Sequence, residues 1–335
     1  MPDRPRRAAP LAAAAALLLA AGCSAPPAAA PVEPAAVPTE PVADAPPWPA
    51  ERAAPDLQAA IERAVAGFDG RAGVYVRHLP TGRTAAVDAD ALFPTASMIK
   101  VPILVGTMEA IERGALAWDH PLVFRDSLAY DDTGLFGLLR DGASVPVHRL
   151  VEEMLSASDN TSSLWLQGIV GGAEINRWLA REGFARTRVN SRVPGRRADW
   201  EAYGWGQTTP REMAELVRRI VDGEAVSPAA DHEMHRALTR TFYDDEAVGE
   251  LPPGVQVASK QGAVSDSRSE VLYVHAPGGP YVLCAITDGQ ADTSYEPTNA
   301  GFELLRAVSR AAWGALEPGR PWAPPPGAAR YRLGE

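Results

Sequence analysis

The chain has 335 residues, 46% of them hydrophobic and 22% charged, with a formal net charge of −10. Those proportions allow a domain with a real core. The acidic balance sets the surface against phosphate backbones, so nucleic acid is not an expected partner. No stretch reaches the roughly 18–20 apolar residues that span a bilayer.

Residues 1–23 read as an export signal: Arg4, Arg6 and Arg7, then the apolar run from Leu11 to Ala21, then Ala20-Ala21-Gly22 ahead of Cys23. Cys23 in that setting resembles the lipobox cysteine of bacterial lipoproteins. The resemblance implies lipidation of Cys23 and membrane anchoring in a bacterial cell envelope, with ordinary signal cleavage into the periplasm as the alternative. Residues 24–55 hold 10 Pro and 11 Ala, a composition that cannot bury enough apolar surface to fold and reads as an extended tether.

Structure is expected from Asp56. Leu57, Ile61, Ala64 and Val65 repeat at helical spacing. Strands at 72–79 and 83–88 flank the turn Pro80-Thr81-Gly82. Helices are expected from Ser97 to about Arg113, then over 147–155, 160–169, 173–181, 210–221 and 228–238. Strands return at 255–259, 270–275 and 281–287, and a last helix runs from about 298 to 316. Strands at both ends with helices between predict an α+β fold: one antiparallel sheet flanked by terminal helices, with an inserted all-helical subdomain. The domain spans 56–317, and 318–335 is a Pro-rich tail. The aperiodic stretch 183–209 is long enough to be a functional loop.

Only Lys100 and Lys260 are lysine; the other 30 basic residues are arginine. Arginine supplies surface charge but does not give up its proton, whereas a desolvated lysine can act as a base. Lys100 ends Ser97-Met98-Ile99-Lys100, and residues three apart at a helix start share a face. Ser97 Oγ and Lys100 Nζ therefore form a candidate nucleophile and base, with the helix N-terminus favouring a developing alkoxide. Ser158-Asp159-Asn160 opens the next helical run as a cap that presents polar groups to a cleft. Lys260-Gln261-Gly262, followed by Ala263, ends the strand 255–259, placing a cation where backbone can approach a ligand.

S-x-x-K, S-D-N and a degenerate K-T-G, in this order, resemble the class A β-lactamase and penicillin-binding-protein family of serine hydrolases. The resemblance covers roughly 56–316 and includes Phe93-Pro94-Thr95-Ala96 and Thr208-Thr209-Pro210. It implies that Ser97 attacks the carbonyl, Lys100 takes its proton and Ser158 protonates the leaving nitrogen. Asn160 and Lys260 would bind the substrate's amide and carboxylate. The N–H groups of Ser97 and Ala263 would form the oxyanion hole. It implies no cofactor, a β-lactam or peptidoglycan-like substrate and a monomer.

The chain departs from the family at two places. Gln261 stands where a hydroxyl residue is usual. The stretch Arg188 to Gly195 is similar to the family's long loop through Asn190, Pro194 and Gly195, which puts Arg186 at the position of the deacylating glutamate. Arginine cannot be a general base, so Glu182 and Glu201 are the loop's other candidates. A β-lactamase, a D,D-peptidase or esterase acting on envelope material, and a non-turnover penicillin- or peptidoglycan-binding lipoprotein all remain compatible. Elsewhere, His232 and His235 read as a surface pair rather than a zinc site. Asp244-Asp245-Glu246 reads as a solvated turn, Trp200 and Trp205 as loop packing, and Cys284 as a buried, inert thiol. Whether Arg268 is a second carboxylate anchor depends on strand register.

Overall fold

A computed structural model describes residues 47–130 and 134–328. Cys23, the export signal and residues 24–46 of the tether lie outside the described residues, so those readings rest on sequence. The first half runs β1 (Arg52–Ala53), α1 (Pro55–Val65), β2 (Arg71–His78), β3 (Arg83–Val87), β4 (Phe93–Pro94), α2 (Lys100–Glu112), β5 (Pro121–Val123), β6 (Ser144–Pro146), α3 (Val147–Ser156) and α4 (Asn160–Val170). It continues through α5 (Gly172–Arg181), β7 (Arg188–Val189), α6 (Arg197–Tyr203), β8 (Gly206–Thr208), α7 (Pro210–Asp222), α8 (Pro228–Leu238), β9 (Val257–Val264), β10 (Ser267–Val274), β11 (Tyr281–Asp288) and α9 (Ala300–Leu316).

The main sheet has the order β1-β3-β2-β11-β10-β9. All its pairings are antiparallel except β1 with β3. Side chains alternate across it, as pleating requires. Leu283 and Ala285 of β11 join Leu57 and Ile61 of α1 and Leu305, Val308 and Trp313 of α9 in one core layer. Val282, Cys284 and Ile286 face the other way, onto Met213 and Val217 of α7 and the helices beyond. This is the α+β arrangement expected, with terminal helices on one face and the inserted helices on the other. Cys284 is fully buried and unpaired, and burial pushes its thiol far up.

Several boundaries move. The body begins upstream of Asp56: Trp48 Nε1 donates to Asp222 at 2.6 Å, and Tyr75 donates to Glu51 at 2.8 Å. In the expected tail, Trp322 packs on the α9 layer, and Trp313 Nε1 donates to the Arg320 carbonyl at 2.8 Å. The aperiodic loop contains β7, α6 and β8. Strand β9 does not end at Ser259 but runs on through Lys260, Gln261, Gly262 and Ala263 to Val264. Its pairing with β10, Lys260 opposite Val271 and Gly262 opposite Ser269, carries the ladder past the lysine.

β9 is an edge strand, and one glycine sets how closely it lies against the helical layer. A Cβ on Gly262 would sit 2.7 Å from the Ser97 amide nitrogen and 2.9 Å from the Thr95 carbonyl oxygen. Both are backbone atoms and cannot swing aside. Gly262→Ala should therefore cost about 1–3 kcal/mol, the usual range for overpacking, and lower the melting temperature. An unchanged thermal transition would mean that β9 retreats freely.

Candidate active site

Ser97 lies in a 3-10 turn, Ala96–Ile99, that leads directly into α2. Met98 and Ile99 are fully buried and anchor the turn from below. Ala96 is held in the left-handed region, φ 45°, as is Ser158, φ 57°. Non-glycine residues keep such angles only when their surroundings over-determine them, and here both belong to the cleft. Asp159 caps α4, accepting from the Ser162 amide at 2.6 Å, and so fixes the residues on either side of it.

The serine–lysine pair is formed: Lys100 Nζ lies 3.1 Å from Ser97 Oγ. The same nitrogen donates to Ser158 Oγ at 3.0 Å, to Asn160 Oδ1 at 2.8 Å and to the Ser158 carbonyl. Lys260 comes in from the opposite wall, donating to Ser158 Oγ at 3.1 Å, to the Gln261 carbonyl at 2.8 Å and to Gln261 Oε1 at 2.9 Å. Ser158 Oγ thus sits between the chain's two lysines, both fully buried. Burial lowers Lys260 to about 7, against the opposing pull of Glu246 and Glu270.

Ser97, Ser158, Asn160, Gln261 and Ala263 line one cleft of about 360 Å³. Gly262 lies behind it against the Ser97 backbone. All eight expected site residues of the domain, Ser97, Lys100, Ser158, Asn160, Lys260, Gln261, Gly262 and Ala263, therefore converge. A second cavity shares Ser97, Asn160 and Ala263 and is walled by Tyr130, Glu201, Tyr203 and Trp205 of the neighbouring loops.

Other residues fall elsewhere. Arg186 is exposed; its amide donates to Glu212 at 3.0 Å, and it lines neither cavity. Asn190 is engaged within its own loop, accepting from Arg196 Nε at 2.8 Å. Glu182 pairs with Arg181 at the end of α5, whereas Glu201 lines the second cavity and pairs with Arg197 at 2.6 Å. Arg268 is not a carboxylate anchor in the cleft. It is wholly buried between Tyr295 and Phe302, 4.8 Å from each ring, and its guanidinium donates to the carbonyls of Val264, Ser267 and Ser294.

Three bland readings change. The Trp205 ring centroid lies 5.7 Å from Lys100 Nζ, and its Nε1 donates to Gln167 at 2.7 Å, so it is a wall of the site as well as loop packing. His235 turns inward to stack on His275 at 5.5 Å, leaving only His232 exposed. Glu246 is not solvated: it is 8% exposed and lines the nucleophile's cleft. No local sequence pattern marks Trp205 or Glu246, because a loop's approach to a distant strand is set by tertiary packing.

The model of a family described as the Beta-lactamase enzyme family matches residues 56–316. A β-lactamase of Streptomyces albus G is 29% identical over 248 residues, covering 68% of this chain and 76% of its own length. A solved structure of PBP-A superposes with a TM-score of 0.72 at 28% identity, over 81% of this chain and 99% of that one. A point mutant of PBP-A, solved as an acyl-enzyme complex with penicillin-G, superposes equally at 27% identity, with the same coverage. With its serine and two lysines gathered in one cleft and most of its length matched, the chain belongs to the β-lactamase enzyme family and is a serine β-lactamase-like hydrolase.

Proposed function

We propose that the protein forms an acyl-enzyme on Ser97 with β-lactam or related amide and ester substrates, and that it deacylates slowly. The observation that carries this reading is the 3.1 Å contact between Ser97 Oγ, which faces the cleft, and Nζ of the fully buried Lys100. To accept a proton Lys100 must be the neutral amine, which has two N–H donors and one lone pair. The Ser158 carbonyl and Asn160 Oδ1 can take the two donors, which leaves the lone pair for the Ser97 hydroxyl. As Ser97 Oγ bonds to the carbonyl carbon, its proton passes to Lys100 Nζ. The carbonyl carbon–nitrogen bond then breaks as that proton is relayed through Ser158 Oγ to the leaving nitrogen. Ser158 bridges Lys100 to Lys260, so the relay needs no side-chain movement. The Ser97 amide, with that of Ala263, is the proposed anchor for the developing oxyanion. The free edge of β9 offers backbone groups to an extended substrate.

Hydrolysis of the ester needs a second base, and the long loop carries Arg186 rather than a carboxylate at the family's position for it. Asp159 is engaged as the α4 cap, and Arg186 faces solvent. On the loop side Trp205, not a carboxylate, covers Lys100. Glu201, the loop glutamate nearest this region, is held by Arg197. The coverage of PBP-A and of the penicillin-bound mutant supports the same emphasis on acylation. The D,D-peptidase reading differs from the β-lactamase one only in substrate, whereas a non-turnover binder would lack the second step. The export signal read in residues 1–23 supports an envelope enzyme tethered through Cys23.

Ser97→Ala should abolish covalent labelling by a fluorescent penicillin, and Lys100→Arg should slow acylation by about 10²–10⁴-fold, since arginine cannot serve as the base. Mass spectrometry should find the adduct on Ser97; a label on Ser158 would overturn the assignment. With a chromogenic cephalosporin, the wild type should give a burst of about one product per enzyme followed by a slow phase, as a missing base costs about 10²–10⁴-fold in its step. Arg186→Glu and Glu201→Gln should both leave the slow phase within about twofold. Collapse of that phase in Glu201→Gln would identify Glu201 as the deacylating base, and fast turnover without a burst would refute slow deacylation. Cys23→Ser should move the protein from the membrane to the soluble fraction of an expressing bacterium, and a wild-type protein already soluble would refute lipidation.

A further inference from the structure

Next to Ser158 the cleft is acidic where a family member would be expected to hold a substrate carboxylate. Asp245 and Glu246 both line it, together with Tyr243, Gln261 and Arg306. Glu246 is 8% exposed, and its buried Oε2 has no hydrogen-bond partner among the described residues. It makes no ion pair there either. A carboxylate desolvated in this way is costly unless a donor reaches it. Most of the cationic N–H donors nearby are already taken. Lys260 has its three donors on Ser158 Oγ, the Gln261 carbonyl and Gln261 Oε1. Arg306 donates through Nη2 to the Pro297 carbonyl and to Glu303 at 2.8 Å, while its buried Nε has no hydrogen-bond partner among the described residues. Glu270 accepts from the Ala247 amide at 2.7 Å, and Arg268 is turned onto backbone carbonyls.

We propose that this pocket takes a cationic N–H group, an ammonium or guanidinium, carried by the leaving portion of the substrate. The inference rests on the acyl-enzyme reading above, because Ser158 marks the side on which the leaving group departs. Whatever is attached to that leaving atom extends past Ser158 towards Gln261, Asp245 and Glu246. An anionic group there would meet two carboxylates and would have to displace Gln261 from Lys260. A cationic N–H group would supply the donor that Glu246 Oε2 lacks, in a charge-assisted hydrogen bond. Burial and the neighbouring Asp245 lift Glu246 to about 8, opposed by Lys260, Arg306 and Arg268. An arriving cation would draw it back down and hold it ionised.

The test uses three aryl esters of one N-acylglycine that differ only in the meta substituent of the leaving phenol: aminomethyl, ethyl or carboxymethyl. In each, the Ser97 Oγ–carbon bond forms, the carbon–oxygen bond to the phenol breaks, and the departing phenolate takes the proton relayed through Ser158. For the wild-type enzyme, kcat/KM for phenol release should be about tenfold or more higher for the aminomethyl ester than for the ethyl ester, the size of one charge-assisted bond. The carboxymethyl ester should be slowest. In Glu246→Gln the aminomethyl-to-ethyl ratio should fall towards one, a ratio that cancels any general loss of activity. Calorimetric titration of the Ser97→Ala protein with the intact esters should give the same order of affinity. Equal reactivity of the aminomethyl and ethyl esters, preference for the carboxymethyl ester, or a ratio untouched by Glu246→Gln would overturn the inference while leaving the hydrolase reading standing. Failure of every ester to acylate Ser97, with Glu246-dependent binding of the aminomethyl ester intact, would overturn the hydrolase reading and uphold the pocket. If Glu246→Gln fails to fold, the order among the three esters in the wild type decides alone.

Discussion

Ser158 Oγ accepts hydrogen bonds from two fully buried lysines, and the rest of the site is arranged around keeping that possible. Two amines so close to one hydroxyl cannot both hold a proton cheaply, since each loses hydration and feels the other. The strain is visible in the backbone: Ser158 is forced to a positive φ so that its Oγ and its carbonyl both face Lys100. Asp159 must then cap α4 firmly, because any fraying there would release Ser158. Gly262 must stay a glycine, because β9 brings Lys260 to Ser158 only by pressing on the Ser97 backbone.

That arrangement separates the two halves of an acyl-transfer cycle. Acylation needs a base within reach of the nucleophile and a proton path to the leaving atom, and Lys100 and Ser158 supply both. Deacylation needs a base for a water on the other side of the ester, where the loop contributes Trp205 and a Glu201 paired with Arg197. An indole offers a face to the Lys100 nitrogen but can accept no proton from water.

Much of this was legible in the amino-acid order. The rarity of lysine singled out Lys100 and Lys260, since an arginine-rich chain keeps lysine where a proton must move or a compact cation must fit. The hairpin around Gly82 and the continuous apolar run within 281–287 announced strands on one sheet, and both are there. What was not legible depended on register and long-range approach. Arg268 and Lys260 are near in sequence, but one strand turns at Asp266 and the two side chains leave the sheet on opposite faces, so spacing alone could not say which met the cleft. Asp244-Asp245-Glu246 has the polarity of an exposed turn, yet the chain folds Glu246 under β9 beside Glu270. The extent of β9 escapes a sequence reading because Lys260 and Gln261 look like a polar strand end, although both are buried by the helices they face.

The same burial explains why Gln261 is chemically apt where a hydroxyl residue is usual. Beyond the backbone carbonyl that any residue would offer, Gln261 turns its side-chain Oε1 onto Lys260, and with Ser158 these acceptors saturate the ammonium. A lysine whose three donors are already taken is a poor site for a carboxylate, and the neighbouring Glu246 makes it poorer. Lys260 is then better placed to steady the Ser158 hydroxyl than to hold substrate. Under the proposal, the discrimination among substrates passes to the groups still lacking a partner; of those lining the cleft, Glu246 Oε2 is the acceptor and Arg306 Nε the donor.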